Sequence, residues 1–158
     1  MRVRRQFGYL TLGFALVAAG CGSDDSDTMS KQEWIAAADA ICVDMNAQLE
    51  EISEPQTIEE MAAAQSQVED VWRTGLADLE GLGLPSDDEE AAAEVIDAFD
   101  VLVNASFEWS DAFVEAGAID EMSPEVEALF RELDAASADA ARLAGAYGLE
   151  NCFTNQDE

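Results

Sequence analysis

The chain has 158 residues, of which 35 are acidic and seven are basic, and its formal net charge at pH 7 is −28. This balance argues against binding to nucleic acid or to an anionic lipid surface, because both need clusters of Lys and Arg. The sequence contains no histidine, which excludes the usual di-iron, zinc and histidine-activated nucleophile sites. We therefore expect no catalytic residues, no cofactor and no metal site.

The start of the chain has the pattern of an export signal. Residues 1–6 carry three arginines, and an almost wholly apolar run follows over 7–20. That run is shorter than the ~20 residues of a membrane-spanning helix. Small residues at 18–20 precede Cys21 and resemble the bacterial lipobox, in which the cysteine receives a diacylglycerol thioether and becomes the acylated N-terminus. The sequence thus predicts a lipoprotein signal peptide over 1–20 and a lipid, palmitate included, on Cys21 that is sufficient for stable anchoring.

Two features of this signal leave alternatives open. An ordinary secretory signal would leave Cys21 free or remove it. The stretch R-R-Q-F over 4–7 also resembles the core of a twin-arginine signal, although Gly8 and Tyr9 depart from the usual residues. Cleavage before Cys21 leaves four basic and 35 acidic residues, a net charge of −31. Such acidity is typical of solubility in a saline habitat, and specific cation binding is the alternative.

Beyond the signal, the chain divides into a tether, one domain and a tail. Residues 21–29 lack hydrophobic periodicity, which predicts a flexible acidic tether with an average reach of about 16 Å. Apolar residues then recur at spacings of three and four over 30–153, as they do on one face of a helix. Residues 154–158 are expected to be a disordered tail. The folded domain is therefore expected close to the membrane.

Capping signals divide the domain into four helices. Ser30, Thr57 and Ser86 each begin a capping box, and Ser123 followed by a proline begins the fourth helix. Pro55, Gly81 and Gly83 with Pro85, Gly117 and Gly148 are expected to end them. Short connections between long amphipathic helices favour an all-α, antiparallel, up-down-up-down four-helix bundle.

The inward-facing stripes contain polar and aromatic residues that need an explanation. Asn46, Gln65 and Ser106 fall on core positions. They are expected to fix helix register or to bond the backbone of the C-terminal segment, and a polar pocket is the alternative. Trp34, Phe107 and Trp109 cannot all point inward with their neighbours, which predicts that one or two form an exposed patch. The expected stripe of helix 1 contains Ile35, Ala38, Cys42, Met45, Leu49 and Ile52.

The two cysteines of the domain are expected to pair, because disulfides persist in exported proteins. Cys42 lies roughly 17 Å along helix 1, and the four residues after Gly148 can run back about 13 Å to bring Cys152 beside it. This predicts a Cys42–Cys152 disulfide that closes the bundle, with Leu149 and Phe153 covering the end of the core. The alternative is a buried free Cys42 and a frayed tail with a free Cys152.

The two ends of the domain resemble a known group of proteins. The stretch E-W-I-A-A-A-D-A-I-C over 33–42 with Asn46, and the ending A-Y-G-L-E-N-C over 146–152, are similar to small secreted or lipid-anchored actinobacterial proteins. In those, an A-D-x-I-C-x-x-x-N segment opens the domain and a Y-G-L-x-x-C segment closes it. The resemblance supports the bundle and the pairing of Cys42 with Cys152. It implies no catalytic residues, because that group has no assigned activity.

These observations together predict a non-enzymatic envelope lipoprotein on the extracytoplasmic face of the cell membrane. We expect it to act as a binding or scaffold module, held to the membrane by lipid on Cys21 and contacting an unidentified envelope protein. The alternative is a ligand-binding lipoprotein that holds a small apolar or cationic molecule between its helices. The acidic run over 87–90 lacks the ligand spacing of an EF-hand, and we expect it to be a solvated helix cap.

Overall fold

A computed structural model describes residues 29–117 and 123–152 of the chain. Four helices account for most of them: α1 (Lys31–Glu50), α2 (Ile58–Gly81), α3 (Glu89–Ala116) and α4 (Pro124–Tyr147). No strand occurs within these two ranges, so the predicted all-α class is confirmed. The predicted signal peptide, Cys21, the tether up to residue 28, Phe153 and the tail over 154–158 lie outside the described residues.

Each helix runs antiparallel to the next one in the chain. The indole N–H of Trp34, at the start of α1, donates to the carbonyl of Gly83 just beyond the end of α2 over 2.9 Å. Late α2 meets early α3 through the rings of Trp72 and Phe99, whose centroids are 6.4 Å apart. Late α3 meets early α4 in the same way through an aromatic pair. These contacts give the up-down-up-down bundle that the sequence predicts.

Several helix ends use the residues that the sequence indicates. Ser30 accepts from the backbone N–H of Glu33, whose carboxylate accepts from the N–H of Ser30 over 3.0 Å, so the first capping box is complete. Ser123 accepts from the N–H of the third residue after it, with Pro124 at the first position of α4. Gly117 and Gly148 end α3 and α4 with φ angles of 63° and 110°. Glycine favours this left-handed conformation because it has no Cβ.

Other predicted caps are wrong or only half formed. Thr57 accepts from the N–H of Glu60 over 3.1 Å, but the Glu60 carboxylate accepts from the N–H of Gln56 and not from that of Thr57. Helix α3 begins at Glu89, after an N-cap Asp88 that makes no side-chain cap bond. The N–H of Ser86 instead donates to the carbonyl of Met29. Helix α1 ends at Glu50, well before the expected stop at Pro55.

The buried core is concentrated at one end of the bundle, which we call the closed end. It combines the first half of α1 and the last part of α4 with the neighbouring parts of the other two helices. Its buried members are Trp34, Ala38, Cys42, Leu76, Leu79, Ala92, Val95, Phe99, Ala144, Tyr147, Leu149 and Cys152. The predicted positions Ala38, Cys42 and Met45 of α1 are buried.

The predicted exposed aromatic patch is wrong. Trp34 is 0% exposed and Phe107 is buried, while Trp109 is partly buried. Trp34 is inward because it meets the ring of Tyr147 edge-on, with the centroids 5.3 Å apart, and because its N–H finds a carbonyl partner. Ile35, expected at the centre of the stripe, is only partly buried as a result.

Candidate functional site

The predicted disulfide is present at the closed end. Cys42 and Cys152 are bonded, with their Cα atoms 4.8 Å apart and 110 residues between them in sequence. Both cysteines are buried. Gly148 turns the chain out of α4, and the N–H of Leu149 then donates to the carbonyl of Ala144 over 2.9 Å. Leu149 is buried in the core as predicted, and the disulfide is therefore a structural tie.

Two polar residues of α1 hold the same segment from either side of the disulfide. Asp39 Oδ1 accepts from the backbone N–H groups of Glu150 and Asn151 over 3.0 and 2.9 Å. Asn46 Nδ2 donates to the carbonyl of Asn151 over 3.0 Å. The prediction that Asn46 bonds the C-terminal backbone is confirmed. We call Asp39, Cys42, Asn46 and the segment 149–152 the C-terminal clasp.

The acidic run before α3 has a role that the sequence did not indicate. Asp87 Oδ1 accepts from the backbone N–H of Lys31 over 2.8 Å, so it caps α1 and not the helix that follows it. Lys31 Nζ lies 2.7 Å from Asp88 Oδ2 and 4.2 Å from the centroid of the Tyr147 ring. Asp87 is thus an exposed cap, as expected, but of α1, and Asp88 is the N-cap residue of α3 without a side-chain cap bond. Both carboxylates join the start of α1 to the loop before α3.

The environment of Tyr147 changes its acidity. Burial raises the pKa of its hydroxyl above the ordinary value, and the charges of Asp88 and Asp87 raise it further. The hydroxyl has no hydrogen-bond partner in the described part of the chain. These features favour the neutral phenol.

The opposite end of the bundle contains a cavity of about 450 Å³. The walls are mainly aliphatic and aromatic side chains from all four helices, together with the segment that joins α1 to α2. The lining residues are Leu49, Ile52, Ser53, Glu54, Pro55, Met61, Ala64, Gln65, Val68, Trp72, Ser106, Phe107, Trp109, Ser110 and Leu133. Gln65 and Ser106 thus line a pocket, which the sequence left as the alternative to a role in helix register.

A second hollow of about 310 Å³ adjoins this cavity. The two share Trp72, Ser106 and Leu133, and the second also contains Phe130 and Asp134. We call the cavity and this side opening together the cleft. Phe130 is 46% exposed at its edge, and its ring centroid lies 5.9 Å from that of Trp109.

Polar groups in the cleft are few. Gln65 Nε2 donates to Asp111 Oδ1 over 2.6 Å and joins α2 to α3 at the wall. Ser53, Ser106, Ser110 and Glu54 also line the cavity. The indole N–H of Trp109, another lining residue, is buried and has no hydrogen-bond partner among the described residues. Mostly apolar walls with a few polar groups, around a volume between about 300 and 1,000 Å³, are typical of small-molecule sites.

Comparisons of the chain with family models, with curated proteins and with solved structures give no match. No relative therefore assigns a role to the clasp or to the cleft. The two end motifs that carry the resemblance described above nevertheless meet in space, since Asp39, Cys42 and Asn46 all contact the segment before and at Cys152.

Two further properties of the described residues bear on function. No group of three or more Asp, Glu or Cys residues in ranges 29–117 and 123–152 is arranged to hold a metal ion. Within the same ranges, none of the helices combines the length and the apolar character that crossing a membrane requires.

Sequence reasoning left a pocket at Gln65 and Ser106 as an alternative but could not locate the cleft, because the cleft depends on four helices and a connecting segment at once. The available signal was indirect. Ser106 and Ser110 lie one turn apart on α3 beside the bulky Phe107 and Trp109. Small polar residues next to large aromatic ones on an inward face leave space that a uniformly aliphatic stripe would fill.

Proposed function

We propose that this protein is a lipid-anchored, non-enzymatic envelope lipoprotein that binds a small apolar molecule in the cleft. The cleft is the observation that carries the proposal. The closed end buries Trp34, Phe99 and Leu79 almost completely, whereas the opposite end keeps an open space of about 450 Å³. An apolar molecule in this open space would bury the mainly apolar walls that now face solvent, which favours its binding.

The position of the cleft supports capture from the side away from the membrane. Met29 lies at the closed end, where its carbonyl accepts from Ser86. The 20 residues of α1 span about 30 Å, and Leu49 at their far end lines the cavity. With lipid on Cys21 and a short tether, the cleft would face outward from the extracytoplasmic surface.

The proposal includes no chemical step. The polar side-chain groups of the cavity are hydroxyls, one amide, one carboxylate and the indole N–H of Trp109. A serine nucleophile needs an adjacent base, which is most often a histidine, and the sequence contains none. Binding is the function that these groups can perform.

A scaffold that contacts an envelope protein is the second candidate. The observation that favours it is Phe130, a large aromatic side chain that is 46% exposed beside the side opening. Exposed aromatic residues are enriched at protein interfaces. In this candidate the anchor and the rigid bundle would be unchanged, and the side opening would receive a side chain of the partner.

Photo-labelling can test ligand binding in the anchored protein. The acylated full chain in phosphatidylcholine nanodiscs is irradiated with a neutral alkyl diazirine alcohol, and peptide mapping locates the label. We expect the label on the peptides containing 49–65 and 106–110. Ala64→Phe should abolish this labelling because the new side chain fills the cavity. Ala63→Phe should retain it, because residue 63 is on the exposed face of α2. Equal labelling of these peptides in the two variants would contradict the proposal.

The anchor itself needs a separate test. Changing Cys21 to Ser should release the domain into the soluble extract or leave an uncleaved precursor, because no cysteine then accepts the thioether. The measurement is detergent partitioning together with the intact mass of the protein. Unchanged partitioning and unchanged mass would show that lipid on Cys21 is not the anchor.

A further inference from the structure

We infer that the cleft selects an apolar molecule that carries a positive charge, such as an alkyl or aryl ammonium compound. This inference rests on the proposed function and names the chemical class of its ligand. The inference depends on the carboxylates at the two openings, on the aromatic side chains of the walls, and on the absence of basic residues among the described residues of the lining.

A carboxylate is present at each opening of the cleft. Glu54 lines the cavity in the exposed segment between α1 and α2, and Asp134 lines the side opening beside Phe130. A third carboxylate, Asp111, takes the amide nitrogen of Gln65. That bond uses one N–H of the Gln65 amide and leaves its carbonyl oxygen and its second N–H available. The charged side chains around the apolar space are therefore all carboxylates, while the buried indole N–H of Trp109, which has no partner among the described residues, is a neutral donor in the same lining.

No lysine or arginine is among the described residues that line the cavity or the side opening. Arg73 comes near, with its guanidinium carbon 5.2 Å from the centroid of the Phe107 ring. Its Nε is paired with Glu69 at 2.7 Å on the outer side of α2. An anionic group entering the cleft would lose water and meet carboxylates, and no cation there would compensate for that loss.

The walls themselves favour a cation. Trp72, Phe107 and Trp109 line the cavity, and the electron-rich face of an aromatic ring attracts a positive charge, most strongly for tryptophan. Arg73 already uses the ring of Phe107 in this way from outside the cavity. The net charge of −28 also raises the local concentration of cations around the whole molecule.

The test compares three photoreactive probes with the same alkyl diazirine chain and different ends: trimethylammonium, hydroxyl and carboxylate. Each is applied to the acylated full chain in phosphatidylcholine nanodiscs, and label on the peptides containing 49–65 and 106–110 is quantified. We expect the ammonium probe to exceed the carboxylate probe about tenfold, from local carboxylates and the overall charge together.

Matched variants separate recognition by carboxylates of the cleft from attraction by the negative charge of the whole protein. Glu54→Gln and Glu80→Gln remove the same charge, but Glu80 is on α2 near the closed end and does not line the cleft. We expect Glu54→Gln to lower ammonium labelling about two- to fivefold, the range for an exposed ion pair, and Glu80→Gln to leave it nearly unchanged.

Each outcome has a distinct meaning. Equal losses in Glu54→Gln and Glu80→Gln would assign the preference to the overall charge and overturn the inference. Neutral or carboxylate labelling as strong as ammonium labelling would overturn the inference while leaving ligand binding intact. If none of the three probes labels the cleft peptides, the proposed function fails as well.

Discussion

Asp39 and Asn46, seven residues apart on α1, bind the backbone N–H and the backbone carbonyl of one residue, Asn151. Asp39 accepts from its N–H over 2.9 Å, and Asn46 donates to its carbonyl over 3.0 Å. Cys42 lies between them on the same helix face and is bonded to Cys152. The covalent tie and the backbone hydrogen bonds therefore hold the same short segment, and the fixed spacing of the three residues on α1 follows from the period of the helix.

Changing Asp39 to Ala should lower the free energy of unfolding by about 1–2 kcal/mol, because two backbone N–H groups lose a charged acceptor. Amide exchange at 149–152 should become faster. Asp44→Ala is the control, since it removes the same charge from α1 but breaks only a surface bond to Gln48. If urea unfolding shows equal effects for the two variants, Asp39 acts only through its charge.

Reduction of Cys42–Cys152 should loosen the C-terminal segment first. The bond closes a loop of 110 residues, for which the chain-entropy model gives about 4–5 kcal/mol. The amphipathic helices should stay assembled, so far-UV circular dichroism at 25 °C changes little. Hydrogen exchange should accelerate most at 147–152 and in the first half of α1. Free thiols at Cys42 and Cys152 in the purified protein before reduction would contradict the assignment of this disulfide.

The closed end was largely predictable from sequence because it depends on local signals. Capping at Ser30 and Ser123 and termination at Gly148 need only neighbouring residues. The disulfide needed only the length of a helix and the reach of four residues. Asn46 followed as well, since a polar residue one turn from a cysteine on an inward face needs a backbone partner.

The sequence could not predict where a capping residue bonds to a distant part of the chain instead of to its own helix. Ser86 begins a sequence that matches a capping box, yet it bonds to Met29, and Asp87 caps α1 from across the bundle. Trp34 was misplaced because its burial depends on the carbonyl of Gly83, 49 residues away. The cleft required knowing where four helices leave space, which no single stripe encodes.

Added salt should stabilise the protein. The acidic excess of the chain, −28 overall, produces repulsion that screening reduces, and the screening length falls to about 3 Å at 1 M. We expect the melting temperature to rise with NaCl up to molar concentrations. KCl and LiCl at equal ionic strength are the controls, because screening predicts similar curves for all three. A flat response would contradict the repulsion argument, and a rise with one cation alone would indicate specific binding.

Gly75 and Met45 should prove to be coupled. A Cβ at position 75 would overlap the Sδ, Cγ and Cε atoms of Met45, which is itself buried. We expect Gly75→Ala to destabilise the protein by about 1–3 kcal/mol through overpacking, despite the better helix propensity of alanine. In a Met45→Ala background the same change should cost less or be favourable. A double-mutant cycle by urea unfolding measures the coupling, and additive effects would contradict it.

Tyr147 should make the stability of the protein sensitive to alkaline pH. Burial, Asp88 and Asp87 raise the pKa of its hydroxyl above 10.0 in the folded state. Below pH 10 both states hold the proton, so the contribution of Tyr147 is complete. Above that value the unfolded chain releases the proton before the folded chain does, and the free energy of unfolding decreases as the pH rises toward the folded pKa.

The titration can be observed directly, because the sequence has only two tyrosines and the other, Tyr9, lies in the predicted signal peptide. Tyrosinate absorbance of the mature protein should therefore report Tyr147 alone, with a pKa above the ordinary value. Asp88→Asn should lower that pKa only in part, since burial is the larger cause. In Tyr147→Phe, the free energy of unfolding should decrease less at alkaline pH, because the variant lacks this titrating hydroxyl. The substitution should also cost little at neutral pH, because the lost hydroxyl has no partner among the described residues. An ordinary tyrosine titration in the folded protein would show that the ring is not held at the closed end.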